Sequence, residues 1–249
     1  MDIVSALAAD GAAPGDGSTL VSVVGAGGKK TTLYALAGRI DRAVVTATVR
    51  IPIFDRHVAA VTVTDDPASA LREADDWPLG LVPEREREDR YRGYDAAVVD
   101  DIAAPGVADA VLVKADGART RDLKAPNDRE PQVPPASDVV VPVASAHVVG
   151  EPLTDDLVHR PERVAAIAGI DVGDEVTPEA VAAVLASERG GMKGVPDGAT
   201  AVPLVNKVDD GELEAVAREV AAETLARCDA PRVVLARMTA EDPLVAVVE

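Results

Sequence analysis

Short apolar runs rich in valine and alanine alternate with stretches of helical periodicity along this chain. Thr19–Val24, Ala43–Thr46, Asp109–Ala115, Asp138–Val143 and Thr200–Val205 carry almost no polar face. Such runs predict strands buried on both sides, as in a parallel sheet. Val58–Thr64, Leu79–Val82, Arg232–Leu235 and Leu244–Val248 predict further strands. Apolar spacing predicts helices over residues 2–10, from the glycine-rich turn to about Ile40, over Pro67–Glu73 and Tyr94–Ala103, at about 153–168 and 177–188, and over Gly211–Cys228. Glu84–Arg92 alternates charges and reads as a solvated helix face.

Strands alternating with helices give the fold class α/β, a mostly parallel sheet covered by helices on both faces. The 249 residues fit one domain over 1–249. It would carry a loop-rich insertion at about 119–137, with prolines at 126, 131, 134 and 135, and a helical segment at about 151–199. A loop of that length in a compact domain is usually functional or mobile.

Ligands of such sheets bind at the carboxyl ends of the strands. The segment after the first predicted strand is Gly25-Ala26-Gly27-Gly28-Lys29-Lys30-Thr31-Thr32, the layout of a phosphate-binding loop. Glycines let the backbone turn several N–H groups toward one anion, and the following helix adds its positive end. The match to G-x-x-x-x-G-K-[ST] is a variant: the first glycine would fall at Val23, and Lys30 takes the Ser/Thr place. Lys29 is the expected phosphate lysine, and the hydroxyl of Thr31 or Thr32 the expected magnesium ligand. An NAD(P) site is disfavoured, because G-x-G-x-x-G would need a glycine where Lys30 stands.

Asp116 follows a predicted buried strand and is the candidate acidic ligand of magnesium. Thr46 and Thr48 could orient the metal shell or an attacking water, and a half-buried strand threonine would look the same. Asn206-Lys207-Val208-Asp209 follows another predicted strand and has the N-K-x-D form that reads guanine. Asp209 would accept from guanine N1–H and the 2-amino group, Asn206 would fix the loop, and Lys207 would pack on the base. The expected cofactors are therefore GTP or ATP with Mg²⁺. Arg119, Arg121, Lys124 and Arg129 make the 119–129 loop locally basic, suited to an oxyanion or a phosphorylated partner.

Net charge sharpens this picture. The chain is at −18, with 43 acidic residues and 25 basic ones, of which only six are lysines. Two of the six fall in the glycine loop. Aromatic residues make up 2% of the chain, so the core must be aliphatic. This composition is expected of a protein in a high-salt cytoplasm, where screening weakens self-repulsion. It argues against nucleic acid as a partner. A single cysteine, Cys228, excludes an internal disulfide, and the histidines lack metal-ligand spacing. No apolar run approaches the roughly 18 residues of a membrane span, and no signal peptide is visible, so a cytoplasmic location without membrane contact is expected.

Several segments together resemble the YqeC family, accessory proteins of selenium-dependent molybdenum hydroxylases. They are Gly25-Ala26-Gly27-Gly28-Lys29, Ala115-Asp116-Gly117-Ala118-Arg119, Leu123-Lys124-Ala125-Pro126, Glu130-Pro131, Gly150-Glu151-Pro152-Leu153, Val158-His159-Arg160-Pro161-Glu162 and Asn206-Lys207-Val208-Asp209. The resemblance implies a P-loop NTPase-like fold and a role in maturing a labile selenium-containing cofactor. Its expected partner is a molybdenum hydroxylase or a selenium-delivery protein. Two positions depart from the family pattern: Lys30 replaces the Ser or Thr after the loop lysine, and Lys114 replaces a Glu before Ala-Asp-Gly. Both make hydrolysis more doubtful than binding. The sequence thus points to a slow NTPase, with two alternatives: a nucleotide-responsive binding module without turnover, or a small-molecule kinase whose 119–129 loop holds the acceptor.

Overall fold

The computed structural model describes residues 1–8 and 17–249. The first helix, α1, covers Ile3–Ala6 and is capped by the Asp2 side chain on Ser5 N–H; residues 9 and 10 of the expected helix lie outside the described residues. The long runs become a ten-stranded sheet. In chain order its strands are β1 (Thr19–Gly25), β2 (Ala43–Ala47), β3 (Ala60–Val63), β4 (Leu79–Val82) and β5 (Ala110–Lys114). They continue with β6 (Val139–Ser145), β7 (Thr200–Ala201), β8 (Leu204–Asn206), β9 (Val233–Ala236) and β10 (Leu244–Val248). The spatial order is β10-β9-β8-β6-β1-β5-β2-β4-β3, with β7 also on β6. Every pairing is parallel except β9 with β10.

Parallel strands need covered crossovers, and the remaining helices supply the cover. These are α2 (Lys29–Ala37), α3 (Pro67–Arg72), α4 (Ala96–Ala103), α5 (Pro161–Ala168), α6 (Pro178–Leu185) and α7 (Gly211–Leu225). Alternate strand residues serve opposite faces. Val23 of β1, Val45 of β2 and Leu112 of β5 pack with Leu33 and Leu36 of α2. Leu20, Val44 and Val111 of the same strands pack with Leu71 of α3 and with Val99 and Ile102 of α4. Val205 and Leu235 meet Val164, Val181 and Val220 of α5, α6 and α7. Each such fully buried side chain stabilises the fold by roughly 1.5–3 kcal/mol, so an aliphatic core compensates for the lack of aromatics.

Three stretches depart from the sequence expectation. Glu84–Arg92 forms no helix; Arg90–Tyr91 instead pairs antiparallel with Ile51–Pro52. Tyr91 decides this, because its ring packs edge-on against Phe54 at 5.5 Å and its hydroxyl donates to Asp55 at 2.8 Å. The expected helix at about 153–168 begins only at Pro161, since Arg160 takes a left-handed φ of 67°. The run Thr200–Val205 is split into β7 and β8 by Val202-Pro203, where proline supplies no ladder N–H. Inside the 119–137 loop, Leu123–Lys124 pairs with Val158–His159, which ties that loop down. Among the described residues no helix is long and apolar enough to cross a membrane.

Candidate functional site

The sheet order sets β5, β1, β6 and β8 side by side, so the segments after them meet at one edge. Gly25 ends β1 and Gly28 opens α2, with φ values of 89° and 129°. The loop between them leans toward β6 and β8. A Cβ on Gly27 would stand 2.5 Å from Ser145 N, and one on Gly28 would stand 2.1 Å from Asn206 Nδ2. Those two positions therefore require glycine for close approach as well as for conformation.

The loop is partly self-occupied. Gly25 N–H donates to Asp116 Oδ2 at 3.0 Å, Ala26 N–H to Val143 O at 2.9 Å and Gly27 N–H to Arg121 O at 2.8 Å. The anion-facing donors expected of these three residues are thus taken. The N–H groups of Gly28, Lys29, Lys30 and Thr31 have no protein acceptor among the described residues, and Thr32 N–H is the first to bond back, to Gly28 O at 2.9 Å. The open donors are those of a bare helix N-terminus.

Asp116 is 1% exposed and sits between two ammonium groups. Lys29 Nζ lies 2.9 Å from Oδ1 and Lys124 Nζ 2.8 Å from Oδ2. Oδ1 makes no well-aligned hydrogen bond, so charge holds it to Lys29. Lys29 Nζ also donates to Gly25 O. Lys124 continues the network to Glu130 at 2.9 Å, and Arg160 reaches the same carboxylate at 3.0 Å. Burial alone would raise the Asp116 carboxyl, but Lys29 and Lys124 hold it below its ordinary value. Burial lowers Lys29, against the pull of Asp116.

This arrangement does not fit Asp116 as a magnesium ligand. Its charge is already met by two ammonium groups, which a dication would have to displace. No cluster of three or more His, Cys, Asp or Glu side chains able to hold a metal occurs among the described residues. Thr31 lines the cleft described below, whereas Thr32 is fully buried and its hydroxyl donates to Gly28 O at 3.2 Å. Thr46 is fully buried and donates to Leu81 O at 2.8 Å, while Thr48 donates to Gln132 O at 2.6 Å. The hydroxyl protons of Thr46 and Thr48 are thus committed to backbone carbonyls, and neither residue lines that cleft.

An open cleft of about 840 Å³ lies over Ala26–Thr31. Lys29, Lys30, Lys114 and Lys207 line it, and so do Arg50, Arg90, Arg119 and Arg121. Against these eight basic side chains stand two carboxylates, Asp122 and Glu130, in a chain whose net charge is −18. The other two lysines lie close by: Lys124 in the Asp116 network, and Lys193 donating to Asn127 O at 2.6 Å in the 119–137 loop. All six lysines thus gather at one edge of the sheet. The sequence showed this in part, as two of the six lysines in the glycine loop and a basic 119–129 loop, whereas Arg50, Arg90 and Lys114 gave no sign that they would join the cleft. Lys114 is 6% exposed and donates to Arg50 O at 2.9 Å. Burial and the nearby Lys29 charge drive its ammonium down to about 7.

Of the Asn206–Asp209 segment, Asn206 joins the glycine loop. It is 3% exposed, donates to Gly27 O at 2.9 Å and accepts from Met238 N–H at 3.1 Å. Lys207, at a φ of 61°, pairs with Asp122. Asp209 is not among the residues lining the cleft. Its carboxylate is held by His147 Nε2 at 2.8 Å and by Arg237 Nε at 3.3 Å. The structure therefore brings Gly25–Thr31, Asn206 and Lys207 together, and leaves Asp209, Thr32 and Thr46 outside.

A family model described as YqeC protein matches residues 21–162, more than half of the chain. The uncharacterized protein YqeC of Escherichia coli (strain K12) is 28% identical over 200 residues, which is 78% of this chain and 78% of that protein. No solved structure matches the chain. The matched span holds the glycine loop, Asp116, Lys124, Glu130 and Arg160, the residues of the ion network around Asp116, and the chain belongs to the YqeC family.

Proposed function

We propose that this protein binds a nucleoside triphosphate, GTP or ATP, with the phosphates at the N-terminus of α2. One observation carries the reading: eight basic side chains and two carboxylates line a cleft over four open helix N–H groups, in a strongly acidic protein. A polyanion is the ligand such a site favours. Lys29 and Lys30 would take phosphate oxygens, Thr31 would add a hydroxyl, and Asn206 would keep the glycine loop in register. Lys29 must be drawn off Asp116 to do so, which couples ligand binding to the buried network.

The same geometry favours binding without turnover over hydrolysis. Asp116, expected to hold magnesium, and Thr46, expected to orient the metal shell or an attacking water, are both engaged by the protein itself. We propose accordingly a nucleotide-responsive accessory protein, acting in the maturation of a selenium-containing molybdenum hydroxylase or its cofactor, as the family resemblance suggests. Calorimetric titration with GTP, ATP and NADPH, with and without magnesium, together with phosphate-release assays, tests the reading. Binding of a triphosphate without comparable NADPH binding and with negligible phosphate release supports it. Absence of triphosphate binding overturns it.

A further inference from the structure

The cleft has two sides. The glycine loop leans from β1 toward β6 and β8, as the contacts of Gly27 with Ser145 and of Gly28 with Asn206 require. Lys114 opens on the other side. It ends β5, level with Val23 of β1 and Ala47 of β2. Val49, Arg50, Pro52 and Arg90 continue the wall there, carried by the short ribbon of Ile51–Pro52 and Arg90–Tyr91.

Charge on that side is unbalanced. Three lysines of the chain are buried: Lys29, Lys114 and Lys124. Lys29 and Lys124 each have a carboxylate within 3 Å. Lys114 forms no ion pair among the described residues, and its one acceptor is the Arg50 carbonyl, which leaves donors unused. The neighbouring arginines do have acidic partners, Arg50 with Glu86 at 2.5 Å and Arg90 with Asp89 at 3.4 Å. A buried amine without a paired carboxylate keeps its charge only at a cost, so it either gives up its proton or gains a ligand that supplies the counter-charge.

We infer that the β2/β5 side of the cleft, floored by Lys114 and flanked by Arg50 and Arg90, is a second oxyanion subsite for a phosphate group on a ligand other than the nucleotide. This deepens the nucleotide reading, on which it rests only for the identity of the first ligand. Two adjacent oxyanion subsites on either side of β1 give the cleft room for a phosphorylated small molecule beside the triphosphate. Lys114 forms the floor of the new subsite, while Lys29 and the helix N-terminus form the old one.

The test uses inorganic phosphate and ATP as probes, at constant ionic strength. Phosphate is titrated into the free protein and into the ATP-saturated protein, for the wild type and for Lys29→Ala, Lys114→Met and Lys114→Arg. Phosphate is expected to bind the ATP-saturated wild type. Lys114→Met should weaken that binding at least tenfold, and Lys114→Arg should retain most of it. Lys29→Ala should place its main loss on ATP. Acetate as a probe should bind far more weakly than phosphate. The inference is overturned if ATP excludes phosphate, if Lys114→Met leaves phosphate binding intact, or if acetate binds as well as phosphate. If ATP and GTP fail to bind the wild type while free-protein phosphate binding still depends on Lys114, the nucleotide reading falls and the subsite stands.

Discussion

Asp116 and Asp209 each follow a parallel strand at the same edge of the sheet, and each is held by two basic side chains. Asp116 lies between Lys29 and Lys124 with its side chain 2% exposed, whereas Asp209 lies between His147 and Arg237 with its side chain 38% exposed. The contacts are similar in length. The surroundings are not. Water screens the Asp209 cluster, so its contacts can part and re-form at little cost. The Asp116 cluster has given up its hydration, so removing one member strands the others. The first is suited to be rearranged by a ligand, and the second to be a fixed device that a ligand must compete with.

The largest effect should come from Asp116. Asp116→Asn leaves Lys29 and Lys124 facing one carboxylate fewer, and should cost about 3–5 kcal/mol of stability. Asp209→Asn should cost about 1 kcal/mol or less. Urea unfolding of the two variants measures both, and equal losses would break the contrast. Acid sharpens it. The folded Asp116 carboxyl is held below its ordinary value of 3.8. A carboxyl lowered in this way contributes stability that is fully present above the unfolded value and lost as pH falls through the folded one. The wild type should therefore lose stability below about pH 4, and Asp116→Asn should lose less over the same window.

Next in size is the loop lysine. Lys29→Ala removes a charge-assisted phosphate contact of about 1.5–3 kcal/mol, so triphosphate affinity should fall at least tenfold. Lys30→Ala should fall less, because Lys30 lies outside the buried network. A calorimetric series in which Lys30→Ala is the more damaging change would place the phosphates one residue further along. Salt bears on the exposed cluster and on the surface as a whole. Raising KCl from 0.1 to 1 M shortens the screening length from about 10 to about 3 Å. The melting temperature should rise with it, as self-repulsion at −18 is relieved. A melting temperature that stays fixed would contradict the high-salt reading of the composition.

The strands around Asp116 were legible in the sequence because each is a run of small aliphatic residues with no polar face. The run Ala110–Lys114 followed by Asp116 says buried strand, then an acid at the sheet edge, and the structure has both. What periodicity cannot state is which distant side chains complete a cluster. Lys124 reaches Asp116 from a loop, pinned there by a two-residue strand too short to leave a pattern. Arg50 and Arg90 reach the cleft through an equally short ribbon. His147 and Arg237 come to Asp209 from the ends of β6 and β9. The motif residues were readable one by one, whereas their prior engagement by other parts of the chain was not.

The smallest effect on stability carries the sharpest functional question. In the guanine reading, Asp209 accepts from N1–H and the 2-amino group, so it must leave His147 and Arg237 for the base. Both partners are half-exposed, with side-chain exposures of 41% and 51%, which makes that exchange inexpensive. Asp209→Asn replaces one acceptor oxygen by an NH₂ facing the guanine donors. GTP binding should then weaken, while xanthosine triphosphate, with a carbonyl oxygen at C2, should bind better. ATP affinity should hardly move, because adenine offers no matching donor pair. If Asp209 instead stays with His147 and Arg237 at the rim, the substitution will leave all three dissociation constants unchanged. Three titrations on two proteins separate these outcomes, and a wild type that prefers ATP with no response to Asp209→Asn would show that the 206–209 segment braces the glycine loop through Asn206 without reading the base.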